Sequence, residues 1–491
     1  MAEAVARVPG PPAPAGCEVR AALPSKGHGM FCLQGCPAAT QLFQEEPLFV
    51  MQHTGNRRVV AACANCCAFV GPFRGQLEAI FGEARFAPLL GAVDGLVQRL
   101  QAELQAAGAA AGAAASLTVS GVRCSQGCGE MYCSEACRDA HFRHSHNLLC
   151  TGPIDREDHP LLRFKYHSLE HADTLLLVAQ VLAHLVNRAR ACGGGAEVTR
   201  GLMAELLAFC HAPFREACRA PPGRPKDPEF IAHTDNLVNE AAALLKAALE
   251  LQGAAAEAAA LFEHGPAFLS EVLGMFEFNN IDVEVPSPLG PLLVRWAEAL
   301  VQAVRGGAGA AAQSELELLE RLLREKEWVM RCVWGEETTG IYGDDAEDDA
   351  AMGVDEGPEL PEPGDAAADA EVARKAMAEA RTEVAQMSFE QLLQAPWPAL
   401  HGTALFSSVA RINHSCAPNL KIAFPGNSAR LTATSLKEVN PGEELCISYI
   451  AQEADVQVRR RQLFEYGFVC NCERCLLEDS GGVRKTQRRL K

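Results

Sequence analysis

Between residues 63 and 150, eight cysteine and histidine side chains fall into four close pairs: Cys63-x2-Cys66, Cys124-x3-Cys128, Cys133-x3-Cys137 and His146-x3-Cys150. No other feature restricts the fold of this chain so tightly. A pair with two or three residues between its members lets one turn of backbone aim two ligands at one ion, and eight ligands fill two tetrahedral sites. The chain holds 20 cysteines in 491 residues, and its first 16 residues, MAEAVARVPGPPAPAG, contain no apolar leader. The expectation is a reducing compartment, where clustered cysteines serve metals rather than disulfides. Two choices stay open within the pattern. Cys67 competes with Cys66, and His144 with His146, although the spacing to Cys150 favours His146. Buried unliganded thiols are the alternative for the whole set, and four pairs at ligand spacing speak against it.

The net charge of −18 is unevenly placed. Residues 336–371 hold 14 acidic side chains and no Lys or Arg, so the remainder sits near −4. Direct nucleic-acid binding is not expected, because nothing resembles the broad basic surface it needs. A Lys/Arg-rich protein partner suits the charge better, although such runs are commonly solvated linkers. The short basic tail, with five Lys/Arg in residues 484–491, reads as a solvated terminus or a nuclear signal. No apolar run reaches the ~18 residues of a membrane span. The best candidate, residues 174–186, is interrupted by Gln180 and His184.

Periodicity divides the rest. A strand is expected near residues 48–52, and a helical stretch over 75–105 precedes the low-complexity Ala/Gly run 106–115, read as an insertion loop. From Leu161 to about Trp334 the pattern is helical, and Ser314 with Glu317 reads as a capping box opening a helix through Val329. The acidic stretch is expected to be disordered, with helix resuming around 372–387. At His401 the texture changes to short strand-like runs, 420–424, 431–436 and 445–450, the last two separated by Asn440-Pro441-Gly442. The fold class is α+β: a small β core near the two ends, with a metal module and a helical block between.

Three late segments carry the chemistry. They are Asn413-His414-Ser415-Cys416-Ala417-Pro418-Asn419, Gly442-Glu443-Glu444-Leu445-Cys446-Ile447-Ser448-Tyr449, and Tyr466-Gly467-Phe468-Val469-Cys470-Asn471-Cys472-Glu473-Arg474-Cys475. Together they resemble the SET domain of protein lysine methyltransferases, and Lys26-Gly27-His28-Gly29 resembles its N-terminal glycine turn. The cysteine pairs resemble the MYND zinc module, with Tyr132-Cys133-Ser134-Glu135-Ala136-Cys137 at the core and Phe142 where tryptophan is usual. The order resembles the SET-and-MYND subfamily over roughly residues 20–476. Within it the likeness is to the plant Trithorax-related type, on the long gap inside the module, the Cys124/Cys128 pair and the segment Gly274-Met275-Phe276-Glu277-Phe278-Asn279-Asn280.

That resemblance implies a SET-domain β-fold with a pseudoknot, interrupted by a MYND module and a large helical insert, and closed by a zinc-binding post-SET segment. The implied divisions are a tail (1–15), an N-terminal SET part (16–62), the MYND module (63–150), the helical insert (151–335), an acidic linker (336–371), a helix with the core SET part (372–451), the post-SET segment (452–479) and a basic tail (480–491). Three zinc ions are implied, on Cys63, Cys66, Cys133 and Cys137, on Cys124, Cys128, His146 and Cys150, and on Cys416, Cys470, Cys472 and Cys475. S-adenosylmethionine is the implied cofactor. Lys26, Gly27 and His28 would lie along its methionine end, with Asn413, His414 and Asn279 as further contacts (Asn280 being the register alternative to Asn279) and Phe468 against the adenine. Tyr449 is the implied catalytic residue and also borders the cofactor.

The chemistry agrees with those residue types. Methyl transfer to lysine needs a deprotonated amine aligned with the donor, and alignment alone supplies up to ~7–11 kcal/mol in ideal cases. A dry channel lowers the ammonium pKa, and a tyrosine suits its wall. The expected function is lysine N-methylation of histones or other proteins, in the nucleus and also the cytoplasm. Two alternatives are a weakly active adaptor whose MYND surface binds a proline-containing peptide, and a zinc-stapled scaffold.

Overall fold

The computed structural model describes residues 13–22, 27–107, 114–118, 120–153, 158–218, 226–307, 309–334, 366–464 and 466–479. Lys26, most of the Ala/Gly run, the greater part of the acidic stretch and the basic tail lie outside them. The N-terminal part forms β1 (Cys17–Ala21), β2 (His28–Cys32), β3 (Gln41–Glu45) and β4 (Phe49–Gln52). The cysteine-rich segment contributes β5 (Val122–Arg123) and β6 (Met131–Tyr132), and the helical block β7 (Asn280–Val285). The C-terminal part forms β8 (Leu400–Leu405), β9 (Asn413–His414), β10 (Leu420–Ala423), β11 (Leu431–Ser435) and β12 (Glu444–Ile447).

Each of the three larger sheets joins early strands to late ones. Their orders are β1-β2-β12-β9, β10-β11-β3 and β4-β8-β7. β12 runs antiparallel to β2 and parallel to β9, so the beginning and end of the chain share one sheet. At β4–β8, a Cβ on Gly402 would lie 2.3 Å from the Met51 carbonyl oxygen. Only a bare Cα allows that approach. The fold is α+β, with the cysteine module and helices inserted between paired strands.

The helical block follows from its apolar spacing. Leu175, Val178, Leu182 and Leu185 line one face of helix Thr174–Ala191 and are buried, each side chain worth ~1.5–3 kcal/mol. Asp227 starts helix Pro228–Leu251 by accepting from the Phe230 amide at 2.8 Å, with Pro228 at the first position. No helix among the described residues is long and apolar enough to cross a membrane.

Several local expectations are corrected. The helical stretch near 75–105 is two helices, Phe73–Phe81 and Glu83–Ala107, broken at Gly82 with φ +70°. The helix expected to open at Ser314 spans Gly309–Val329 instead. Three alanines ahead of Ser314 propagate helix better than a hydroxyl stops it. The block from Leu161 to Trp334 is not wholly helical, because β7 interrupts it. Its Asn-Ile-Asp-Val-Glu-Val sequence alternates with period two, a strand signal hidden by helical flanks. Helix Ala366–Gln386 begins inside the acidic stretch.

Lys326 ties the last long helix of the block to the approach to β8. It is 0% exposed, and its Nζ donates to Glu327 (3.2 Å), Ala395 O (3.3 Å) and Pro396 O (2.9 Å). Burial pulls its pKa down, opposed by Glu327. Lys326→Ala leaves two carbonyls and part of Glu327 unpaired. The expected loss is about 3 kcal/mol, read as a lower denaturant midpoint, with Lys326→Met losing less.

Candidate active site and metal centres

The twelve side chains expected as metal ligands come together in three groups of four. The groups are Cys63/Cys66/Cys133/Cys137, Cys124/Cys128/His146/Cys150 and Cys416/Cys470/Cys472/Cys475, with donor atoms within 4.8 Å of one another in each. A tetrahedral ion with metal–sulfur bonds of ~2.3 Å would space its sulfurs by roughly 3.8 Å. The observed separations are 3.8 Å for Cys66–Cys133 and Cys66–Cys137, and 3.8 Å for Cys124–Cys150. In the third group they are 3.9 Å for Cys416–Cys470 and 3.5 Å for Cys416–Cys475. The donor sets therefore fit zinc, and each group could hold one ion.

Local sequence explains the aim of these ligands. Ser134 caps helix Glu135–His141 by accepting from the Cys137 amide at 3.1 Å, so Cys133 and Cys137 flank one turn. The interleaved pairing within the module matches the arrangement implied by the MYND resemblance. Packing separates the residues of the two open choices. Cys67, at φ +55°, turns into the main apolar core while Cys66 faces the other ligands. His144 stacks on His184 with ring centres 3.9 Å apart, and His146 joins the second group.

A cleft of about 800 Å³ opens between two strand edges. Asn280, Ile281 and Asp282 of β7 line one side, and Leu420, Lys421 and Ile422 of β10 another. Both strands end their sheets. Tyr449 and Tyr466 also line the cleft, with ring centres 5.5 Å apart. The Tyr449 hydroxyl donates to the Ile412 carbonyl at 2.6 Å. Burial pushes its pKa well above the usual tyrosine range, with Cys446, Tyr466, Cys210 and Glu444 adding to the rise, so the phenol stays neutral.

His414 connects Tyr449 to the third cysteine group. The Tyr449 amide donates to His414 Nδ1 at 3.0 Å. That leaves the proton on Nε2, which lies 3.2 Å from the Cys416 sulfur and donates to it. Both ring nitrogens are thus engaged inside the fold, and what His414 can offer a cofactor is its backbone. Phe468 packs beside His414 and Tyr449, with centres 6.0 and 6.5 Å away.

The glycine turn lies against this knot. Asn413 Nδ2 donates to the His28 carbonyl at 3.0 Å, 385 residues away in sequence. Gly27 holds φ +68°, with nothing within 4 Å of a notional Cβ. Asn279 is buried at the end of helix Ala267–Asn279, and its Nδ2 donates to the carbonyls of Cys210 (2.7 Å) and Met275 (2.6 Å). In both asparagines the carboxamide oxygen is the atom left to accept from a ligand. Asn280 lines the cleft beside Asn279.

Residues 314–450 match the SET domain family. Histone-lysine N-methyltransferase ATXR2 of Arabidopsis thaliana is 27% identical over 386 residues, covering 74% of this chain and 64% of that protein. The chain carries a SET domain match and is similar to SET-and-MYND proteins. Protein-lysine N-trimethyltransferase SMYD5 of Homo sapiens is 43% identical over 81 residues, 16% of this chain and 19% of that one. N-lysine methyltransferase SMYD2 of Homo sapiens is 36% identical over 90 residues, 18% and 20%. The matched regions thus span under two thirds of the plant relative and about one fifth of the human ones. The expected likeness to the plant type agrees with the longest of these matches.

Much of the long gap between Cys66 and Cys124 is helical. Leu96, Leu100 and Leu104 of its second helix bury in the same core as Leu319 and Leu322, and Arg99 pairs with Glu315 at 3.1 Å. Sequence reasoning left out Tyr466 as a site residue, although it precedes the late cysteines, and the Ile412 carbonyl, which carries no side-chain signal. Arg459 was also left out. It is fully buried beside the third cysteine group, 3.7 Å from the Cys475 sulfur and 2.8 Å from Glu478, in a helix that reads as plainly polar.

Proposed function

We propose that this chain transfers a methyl group from S-adenosylmethionine to lysine side chains of proteins, with histone lysines the first candidates. The carrying observation is Tyr449. Its neutral hydroxyl is anchored on a backbone carbonyl inside a cleft that two strand edges line. An extended peptide can add to such an edge through backbone hydrogen bonds. Aromatic walls from Tyr449 and Tyr466 desolvate an incoming lysine, which lowers its ammonium pKa and exposes the nitrogen lone pair. The Asn413 and Asn279 carboxamide oxygens and the open turn at Gly27 and His28 offer acceptors suited to the protonated amine of an amino-acid ligand. Lys26, His414 and Phe468 complete the proposed cofactor contacts. When bound, S-adenosylmethionine supplies a methyl group on a positively charged sulfur.

Zinc at the three cysteine groups would be structural, since each set is closed by four protein ligands. The histone preference draws support from the plant relative, a histone-lysine N-methyltransferase, and from the acidic net charge. A nuclear location follows from that substrate, and a cytoplasmic one from non-histone protein substrates. A proline-containing peptide at the MYND module is a further proposed partner. The division into SET parts 16–62 and 372–451 around the module and helical insert belongs to the same reading.

The test is methylation of a histone and peptide panel by zinc-replete full-length protein with labelled cofactor. Label is expected on lysine of at least one protein. Binding of no cofactor at all would leave the adaptor reading in place.

A further inference from the structure

Among the residues around the proposed cofactor site, Glu444 has no role in the reading above. Yet its carboxylate sits at the meeting point of the two ends of the chain. Asn413 Nδ2 donates both to Glu444 Oε1 at 2.7 Å and to the His28 carbonyl at 3.0 Å. An amide nitrogen has two hydrogens, and both are used here. Reversing the amide would bring its oxygen against two acceptors. The packing leaves no slack: a Cβ on Gly29 would lie 2.7 Å from Glu444 Oε1 and 2.8 Å from Asn413 Nδ2. The backbone of Glu444 is itself pinned, opposite Phe31 in β2 and by Asn419 Nδ2 donating to its carbonyl at 2.8 Å.

We propose that Glu444 is a positioning residue. It locks the Asn413 carboxamide so that its oxygen points away from Glu444, where it accepts from the protonated amine at the methionine end of S-adenosylmethionine. The assignment rests on the cofactor reading and adds to it the group that sets the direction of that hydrogen bond. Hydrogen bonds to a charged group are the strong ones, so loss of the lock selectively weakens ligands that carry the amine.

The experiment measures affinity of full-length, zinc-replete protein for two probes: S-adenosylhomocysteine, which has the amino-acid end, and 5′-methylthioadenosine, which lacks it. Glu444→Ala removes the acceptor, and Glu444→Asp keeps the charge but withdraws it by one methylene. Each is expected to weaken S-adenosylhomocysteine about ten-fold or more and to leave 5′-methylthioadenosine within about two-fold. Glu444→Gln retains an acceptor oxygen and should bind both within about three-fold of wild type. In turnover assays the KM for the methyl donor rises while kcat at saturation holds. Equal weakening of both probes, or none by either variant, overturns the positioning role. Should wild type bind neither probe, the cofactor reading itself fails, and this inference with it. Thermal melts of each variant separate misfolding from lost affinity, and Glu444→Asp carries the test if Glu444→Ala does not fold.

Discussion

Tyr449→Phe is expected to lower turnover by at least about 100-fold while cofactor affinity stays within about three-fold of wild type. The substitution removes one oxygen and leaves the ring that lines the cleft. What is lost is the anchor to the Ile412 carbonyl at 2.6 Å and the polar point fixed by it. Small displacements of reacting groups have large kinetic effects, because alignment is the main thing a transfer site supplies. Backbone contacts are spared. The Tyr449 amide still donates to His414, so the strand end keeps its place. Single-turnover rates against cofactor binding, measured on the same preparation, check the split. A variant that turns over at the wild-type rate would remove the hydroxyl from the chemistry. One that loses binding and rate together would reassign Tyr449 to the cofactor site.

Disrupting the third cysteine group should be as damaging by a different route. Cys475→Ser is expected to reduce bound zinc from three ions to two and activity to below about 1% of wild type. Cys475 is fully buried, and its sulfur lies 3.5 Å from that of Cys416. Cys416 is two residues from His414, whose ring bridges to the Tyr449 amide. The C-terminal aromatic pair, Tyr466 and Phe468, reaches Tyr449 only because the following cysteines are clipped to Cys416. Arg459 adds to the cost. Its buried guanidinium lies against the Cys475 sulfur, and loss of the four-thiolate charge leaves Glu478 as its charged partner beside the Ala454 carbonyl. Far-UV circular dichroism should change little, since the helical block buries its own core apart from this group. In the wild type, mild chelation is expected to lower bound zinc and activity together. A variant retaining three ions would mean that this group is not a metal site.

What could be read from the sequence was local in sequence. Ligand pairs separated by two or three intervening residues, the Asn413–Cys416 turn and the Cys470–Cys475 cluster hold their meaning in spacing, because one turn of backbone limits where neighbouring side chains can point. Helices with a repeating apolar face, such as Thr174–Ala191, were legible for the same reason. Their ends were less so, as Ser314 shows, because terminal residues compete with equally helical neighbours.

The rest depended on partners far along the chain. β7 becomes a strand by pairing with β8, more than a hundred residues later, and no window around it contains that partner. Cys66 and Cys67 are adjacent and chemically identical, so only the core on one side and the other ligands on the opposite side could distinguish them. The direction of the Asn413 amide is decided by His28 and Glu444, and the tautomer of His414 by Tyr449 and Cys416. The sequence by itself therefore determined the candidate metal-binding pairs and the segments that resemble a methyl-transfer site. Only the tertiary structure decided which atoms of those side chains remain available, because each hydrogen bond made inside the fold removes a donor or acceptor from use outside it.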